Sequence, residues 1–473
     1  MRRGREGPQP RVQDCTRTAR GAPKRAPAAP GCVQTAGCRR LLDCAPPKSA
    51  GTSVPSPASA APARQAALAF VFVTVLLDIL AFGIIIPVLP RLIKQMAGGD
   101  MVAAADWVGI IGTVFAIVQF VCTPIQGALS DRYGRRPVIL LSNLGLGLDF
   151  ILMAVVQTLP WLVVARVISG MTSASFSTAN AYIADVVPAE KRAGAFGALG
   201  AAFGIGFVLG PALGGTLGAI DLRFPFWLAA GLALANFCYG YFVLPESLPP
   251  QRRTACFDWR RANPVGALLL LRRYPQVYLL AFVVFLSQLA HYVLNTTFVL
   301  YADYRYGWGP QEVGYTLGFV GVCNGIVQAL LVAQVVRRFG ERRAIFAGLA
   351  FGMLGFAWQG FAATGWVSLA AIPLLALWGF AGPSTQALVT RQVDPSEQGR
   401  LQGALAGLTS LAGIIGPGLY SQIFGWSIAP DSPLHLPGAA FLVAALMLAA
   451  AFGLAWRATH ARMSTTTAGA VRP

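Results

Sequence analysis

Long apolar runs separated by short polar loops make up the chain from residue 67 onward. An α-helix needs about 20 apolar residues to cross a bilayer. Twelve runs reach that length, beginning near residues 67, 107, 138, 161, 194, 224, 277, 312, 344, 366, 401 and 437. The pattern predicts an all-α integral membrane protein with twelve transmembrane helices.

Composition agrees with this class. Of the 473 residues, 55% are hydrophobic and only 12% are charged, whereas soluble domains average about 25% charged residues. The net charge is +18, and half of it comes from residues 1–64, which hold twelve Arg or Lys and three acids. That segment is rich in Pro, Ala, Gly and Ser and has too few apolar residues to form a core. We predict a disordered basic N-terminal extension over 1–64 and no nucleic-acid partner.

The chain also divides into two similar halves. The stretch DRYGRRP around Gly134 returns as RRFGERR around Gly340, and Gly210-Pro211 returns as Gly416-Pro417, each 206 residues later. We therefore predict two pseudo-symmetric six-helix bundles, 65–244 and 277–456, joined by a central loop, 245–276, and followed by a tail, 457–473. In duplicated transporter folds the substrate path lies between the halves near the midplane of the membrane.

The distribution of basic residues predicts the orientation. Loops after the even-numbered spans, together with the tail, hold twenty Arg or Lys, whereas the alternate loops hold four. Because basic residues concentrate on the cytoplasmic side, we expect both termini to be cytoplasmic.

One short loop carries a dense cluster of charge and glycine, GALSDRYGRRP at residues 127–137. Asp131 precedes Arg135 by four residues, so their side chains can pair if the preceding helix continues past Leu129. We expect Gly127 and Gly134 to allow close backbone approach. In the second copy Arg337 stands at the place of Asp131, so this acid has no direct counterpart. We define this gating loop by Gly127, Asp131, Arg132, Gly134, Arg135 and Arg136.

These residues, with Leu129, resemble the loop between helices two and three that marks the major facilitator superfamily of transporters. A chance basic loop is the alternative, but the spacing disfavours it. The resemblance implies that the two bundles rock against each other to give access to each side of the membrane in turn.

Four ionisable side chains lie within the predicted spans, and a charge at the centre of a helix costs about 2.5 to 3.5 kcal/mol on insertion scales. Burial favours the neutral form of a carboxyl group, which lets it exchange a proton when water access changes sides. We therefore predict proton coupling at these positions, or hydrogen-bonded structural roles for the two acids. The four residues are Asp78, Asp149, Arg166 and His291.

The surroundings of the two basic groups leave alternatives open. Arg166 begins a stripe of small and polar residues on one helix face, with Gly170, Ser173, Ser177 and Asn180. Its guanidinium can hold a carboxylate ionised until a proton displaces it, or form a purely structural pair. His291 can be a second proton site, or a structural histidine that is hydrogen-bonded beside Gln288 and Asn295.

The fifth span is rich in glycine at small-x-x-x-small spacing, which permits close helix contact. Its segment GFVLGPALGG resembles the fifth-helix signature of drug:proton antiporters within the superfamily. A plain packing helix is the alternative. The residues of this antiporter signature are Gly206, Gly210, Pro211, Gly214 and Gly215.

A finer resemblance, over about residues 67–456, is to the twelve-helix tetracycline-resistance branch of these antiporters. It is carried by stretches in the same order, LLDILAFGIIIPVLP, LDF, RFPF, RYGW, EQGRLQG and IIGP. The resemblance implies proton-coupled efflux of a small amphipathic drug, with functional positions at Asp78, Asp131, Arg135, Asp149 and Arg166. It places Gln119 on the substrate path, where we also expect the polar side chains of Gln288, Asn324 and Gln386.

Two positions depart from that branch. Gly352 and Asn324 stand where its tetracycline-exporting members carry an acid and a histidine. Because tetracycline leaves the cell as a divalent-metal chelate, these departures argue against that substrate. They favour, as an alternative function, proton-linked transport of a metabolite on the same fold.

Other classes have weaker support. A non-transporting receptor or scaffold would depend on the basic N-terminal extension. The sequence contains no phosphate-binding loop, nucleophile elbow or paired-histidine metal motif, so we expect no enzyme, catalytic residue, cofactor or metal site. Four of the eight cysteines lie in the first 64 residues without zinc-type C-x-x-C spacing. The expected partners are the lipid bilayer, protons and a small molecule, in a bacterial inner membrane.

Overall fold

The computed structural model describes residues 60–173, 175–254, 275–394 and 397–469. Within these ranges the regular structure is helical throughout. Most of the predicted disordered extension and most of the central loop lie outside the described residues. The first helix already begins at Ala60, five residues inside the segment predicted to be disordered.

The first half contains eight helices: α1 Ala60–Ile85, α2 Leu89–Met96, α3 Met101–Tyr133, α4 Arg135–Val155, α5 Leu159–Thr172, α6 Ser175–Val186, α7 Ala189–Ile220 and α8 Phe224–Val243. The break after Ile85 lies in the stretch that contains Pro87, and α2 restarts with Pro90 in its first turn, where a missing N–H is tolerated. The carboxylate of Asp100 accepts the N–H of Val102 at 2.9 Å and caps α3.

The second half begins with α9 Pro275–Thr296, α10 Phe298–Tyr306, α11 Pro310–Ile326, a π-helical turn Val327–Leu331 and α12 Val332–Phe361. It continues with α13 Gly365–Ala376, a 3₁₀ turn Leu377–Phe380, α14 Ala381–Thr390, α15 Gln398–Ile428 and α16 Ala439–Gly469. The predicted tail is therefore mostly helical, because α16 extends to Gly469.

Ten described segments are long and apolar enough to cross a membrane. One of them, Pro310–Phe361, has 52 residues, or about 78 Å at 1.5 Å per residue, more than twice the roughly 30 Å hydrocarbon thickness. Gly340 interrupts it with φ +80, so it supplies two spans. The pair α5 and α6 supplies another span, broken near Ser173. The fold therefore has the twelve predicted spans, but the fourth is not one continuous helix.

The internal repeat is visible in the backbone. Gly134 has φ 106 and ψ 161, and Gly340, its counterpart, has φ 80 and ψ 161. Only glycine adopts this conformation without strain. Gly210 packs against Gly83 of α1, and Gly416 packs against Tyr292 of α9. Equivalent glycines thus hold equivalent helix pairs in the two bundles.

Two helix pairs dominate the interface between the halves, α7 with α11 and α3 with α15. At the contact between α7 and α11, a Cβ atom added to Gly215 would lie only 2.8 Å from the Cα atom of Gly314. At the contact between α3 and α15, a Cβ atom added to Gly112 would lie only 2.8 Å from Cβ of Pro417. Because these glycines lack side chains, the backbones of each helix pair approach closely and hold the two halves together at both contacts.

Candidate functional site: a cavity between two bundles

The gating loop is held by a network of ion pairs. Arg135 Nη1 lies 2.6 Å from Asp131 Oδ1 and donates to Ser130 Oγ at 2.6 Å. Arg135 Nε lies 3.1 Å from Asp185 Oδ2 at the end of α6. The pairing of Asp131 with Arg135 is as predicted, because α3 does continue past Leu129 to Tyr133.

The start of the central loop binds to the same place. Glu246 Oε1 accepts the backbone N–H of Arg135 at 2.8 Å, and Asp131 O accepts that of Thr254 at 3.1 Å. A Cβ on Gly134 would meet the Glu246 carboxylate, so glycine is required there. Gly127 has open space around it, so the prediction of close approach was wrong for Gly127.

The two remaining basic residues of the gating loop point elsewhere. Arg136 Nη2 donates to Tyr241 O of α8 at 2.7 Å. Arg132 is exposed, with its guanidinium 5.3 Å from the centre of the Tyr133 ring. Arg136 therefore ties the gating loop to α8, while Arg132 stays at the surface.

The second copy of the loop has an ion pair of its own. Glu341 Oε1 lies 2.8 Å from Arg391 Nη2. These residues follow Arg135 and Asp185 by 206 positions each, the offset of the repeat. The pair is therefore retained with its charges exchanged. Sequence reasoning that considered only Arg337 missed it, although the offset could have found it.

Asp149 and Arg166, predicted separately, come together inside the first bundle. Arg166 Nη2 lies 3.1 Å from Asp149 Oδ2, to which Ser169 Oγ also donates a hydrogen bond. The Asp149 side chain is fully buried and that of Arg166 is 9% exposed. The guanidinium carbon lies 5.8 Å from the centre of the Phe115 ring.

The predicted stripe beyond Arg166 is only partly realised. A Cβ on Gly170 would lie 2.8 Å from Cβ of Val118, so this glycine packs against α3. Ser173 lies at the break between α5 and α6 and donates to Gly170 O at 3.0 Å. Asn180 is half-buried on α6, and the side chain of Ser177 lies outside the described residues. The stripe therefore spans two helices.

Asp78 is half-buried on α1 and faces α8. Its Oδ1 atom accepts a hydrogen bond of 3.0 Å from Asn236 Nδ2, which also donates to Thr74 O at 3.2 Å. Asn236 itself is fully buried. The carboxyl group thus lies at a contact between helices of the first bundle.

A cavity of about 1090 Å³ occupies the inner face of the second bundle. Its described lining includes three predicted residues, Gln288, Asn324 and Gln386, together with His291. The first bundle contributes Phe207 of α7 to the described wall. Gln119, Asp78, Asp149 and Arg166 are not among the described residues of the wall. The described wall follows α9, α11, α13, α14 and α15, so the place of Gln119 on the substrate path stays a prediction.

His291 faces this cavity, with its ring centre 5.7 Å from that of Trp378. Within the described part of the chain its imidazole makes no hydrogen bond, so the alternative of a hydrogen-bonded structural histidine beside Gln288 and Asn295 is not observed. Sequence reasoning missed Trp378, Gln328 and Gln402 in the cavity wall. Gln328 and Gln402 could have been found by the polarity that marked Gln288 and Gln386, whereas a tryptophan within an apolar run has no pattern that sets it apart from packing residues.

The cavity is closed at one end, which we call the sealed end. Asp303 of α10 binds two residues of α2 there, Arg91 Nη2 at 3.1 Å and Lys94 Nζ at 2.6 Å. The glycine contacts between α7 and α11 lie on the same side. At the opposite end, which carries the gating loop, no hydrogen bond or ion pair joins described residues of the two halves. We call it the open end, a label that refers only to these described contacts.

The antiporter signature lies where three helices meet. A Cβ atom added to Gly206 would lie 2.9 Å from Ile79 of α1. One added to Gly210 would lie 2.8 Å from Gly83 of the same helix. Gly214 packs against Ile84 of α1, while Gly215 and Pro211 O face Gly314 of α11. The small residues therefore let α7 contact α1 of its own bundle and α11 of the other.

Residues 71–417 match the family model of the Major Facilitator Superfamily. The chain belongs to the major facilitator superfamily. Among the curated members of this superfamily, the chain is similar to the tetracycline resistance protein of class C from Escherichia coli. The identity is 39% over 361 residues, which cover 76% of this chain and 90% of that protein. The class B protein of the same organism is 32% identical, covering 83% and 98%.

Solved structures of the superfamily share the fold. The human organic anion transporter MFSD10 superposes with a TM-score of 0.63 at 24% identity, covering 83% of this chain and 99% of that one. The nucleoside transporter NupG gives a TM-score of 0.68 at 13% identity, covering 83% and 98%. These similarities establish the transporter fold and its two six-helix bundles.

Proposed function

We propose that the protein exports a small amphipathic drug in exchange for protons by alternating access. The observation that carries the proposal is a drug-sized cavity that is sealed at one end by contacts between the bundles and is free of such described contacts at the other. Ligand sites for drug-sized molecules typically occupy about 300 to 1,000 Å³. Similarity to tetracycline resistance proteins supports a drug as cargo.

The direction of loading follows from the basic loops. By the positive-inside rule they favour a cytoplasmic position for the gating loop and both termini. In this orientation the open end faces the cytoplasm and the sealed end faces outward. In this state the cavity accepts cargo from the cell. Release requires the contacts at α2 and α10 to separate and the open end to close.

The main proton site of this proposal, Asp78, lies apart from the cavity that binds the cargo. The carboxylate of Asp78 takes up a proton and gives up the hydrogen bond that it accepts from Asn236. The same helix packs against α7 through Ile79 and Gly83, and α7 contributes Phe207 to the cavity wall. A shift of α1 on protonation is thereby passed to the cavity through α7. The Asp149–Arg166 pair and His291 are further sites at which a proton changes the balance of charge.

Everted vesicles with an acidified interior test this assignment. Addition of a transported drug should release protons from wild-type vesicles, and Asp78→Asn should abolish that release because its side chain cannot take up a proton. Asp106→Asn, on an exposed acid of α3, is the matched control and should behave as wild type. Full drug-stimulated proton release in Asp78→Asn would refute the role of Asp78.

A further inference from the structure

The described wall of the cavity has many amide side chains and few ionisable ones. Among the described residues that line it there is no Asp, Glu, Lys or Arg, and His291 is the ionisable group. No group of three or more His, Cys, Asp or Glu side chains in the described chain could hold a metal ion. Seven amide side chains lie in this wall, those of Gln288, Asn295, Asn324, Gln328, Gln359, Gln386 and Gln402.

Trp378 is fixed in this wall by its neighbours. It lies in the 3₁₀ turn between α13 and α14, and its ring makes an edge contact with Phe356 at 5.5 Å between ring centres. A Cβ atom added to Gly352 would lie 2.8 Å from Trp378 Cγ and 2.7 Å from Leu448 Cδ1. Gly352 is thus a packing position behind the indole, and a larger side chain there would push the ring out of place.

Two irregular turns meet beside this ring. Gln328, in the π-helical turn that follows α11, donates to Gly379 O in the 3₁₀ turn at 3.4 Å. Interruptions of this kind in a helix occur frequently at functional sites. Here they direct Gln328 and Trp378 toward the same cavity.

This wall determines which solutes bind well. Transfer of a charged solute out of water costs a large amount of free energy when no counter-charge is present at the site. Amides both donate and accept hydrogen bonds, and an indole face binds flat aromatic rings. A cation stacked on the indole would find no acidic side chain among the described wall residues to offset its loss of water.

We propose that the cavity binds an uncharged, metal-free aromatic solute, which stacks on Trp378 and exchanges hydrogen bonds with the surrounding amides. This inference rests on the proposed export function and specifies the class of its cargo. It makes Trp378 a specificity-determining residue and Gly352 a positioning residue that acts through it.

Uptake into everted vesicles that contain the full chain is the first test. The uncharged aromatic probes are radiolabelled chloramphenicol and linezolid, and the cationic probes are tetraphenylphosphonium and ethidium. We expect acid-driven uptake of the uncharged probes, unchanged when EDTA removes divalent cations. Trp378→Leu should raise their apparent KM by about 3- to 10-fold, as expected for a lost aromatic pair, whereas Trp378→Phe should stay within about twofold of wild type.

Trp366→Leu is the matched control, because Trp366 is 83% exposed at the start of α13. Equilibrium binding of the same probes to purified protein in nanodiscs, with size-exclusion chromatography to verify folding, separates the inference from the export function. Absence of acid-driven uptake of every probe would refute export alone. Preference for the cations, dependence on divalent metal, or equal binding by wild type and a folded Trp378→Leu variant would overturn the inference.

Discussion

At the scale of single residues, the least expected arrangement is the pair formed by Asp149 and Arg166. Both are deeply buried, yet Asp149 Oδ1 and Arg166 Nε have no hydrogen-bond partner in the described chain. Burial removes both charges from water, and attraction between them offsets that loss only when the geometry is good. The pair therefore contributes little net stability, while each member alone would be strongly destabilising.

We predict that Asp149→Asn lowers the free energy of unfolding by about 3 to 5 kcal/mol, because it leaves the guanidinium buried without a counter-charge. The double variant Asp149→Asn/Arg166→Gln should recover most of this loss. Denaturation of the purified protein in detergent measures both changes. Additive losses in the double variant would show that the two groups act independently.

At the scale of helices and loops, the two copies of the gating loop form equivalent ion pairs with the charges exchanged. In the first half a cation on the loop, Arg135, meets an acid, Asp185, that follows the fourth span. In the second half an acid, Glu341, meets the cation Arg391 that follows the tenth. Each pair links the start of one span to the end of another, so each bundle can move as a unit.

We expect Glu341→Arg to reduce drug transport about fivefold, since two guanidinium groups then face each other and the loss of one surface pair is worth up to about 1 kcal/mol. The exchange Glu341→Arg/Arg391→Glu should restore the rate to within about twofold. Initial rates of drug uptake in everted vesicles provide the measurement. Arg400→Glu, at the neighbouring surface pair with Glu397, serves as control. Failure of the exchange to restore the rate would mean that the sign of charge matters beyond the pairing itself.

At the scale of the whole molecule, the two bundles are joined at the sealed end by one acid between two bases. Asp303 of the second half binds Arg91 and Lys94 of the first. Its side chain is 14% exposed, so water screens these contacts only in part. Opening of that end must break both ion pairs as well as the glycine contacts between α7 and α11.

Asp303→Asn should therefore shift the balance toward the state that is open at this end, by roughly 1 kcal/mol or a fivefold change in the ratio of states. A single cysteine at Asn295, in an otherwise cysteine-free protein, reports the shift. An impermeant maleimide added from that side should label it about five times faster. Asp431→Asn, on an exposed acid of the same end, should leave the labelling rate unchanged. Unchanged labelling in Asp303→Asn would exclude a latch at Asp303.

The sequence was sufficient for features that depend on neighbours along the chain. The twelve spans follow from the lengths of apolar runs, because a bilayer requires about 20 apolar residues whatever the rest of the molecule does. The pairing of Asp131 with Arg135 follows equally from helical spacing.

Other features were decided only by the tertiary structure, because they join residues that are far apart in sequence. The two partners of Asp303 lie more than 200 positions away. The cavity is lined by helices whose rotation relative to one another cannot be read from any single apolar run. This is why Trp378 emerged as part of the wall while Gln119 and Asp78 did not. The sequence determined which segments enter the membrane and in what order, since that depends on local transfer free energy. The packing of those segments determined which of their polar groups meet, since that depends on how helix surfaces fit together.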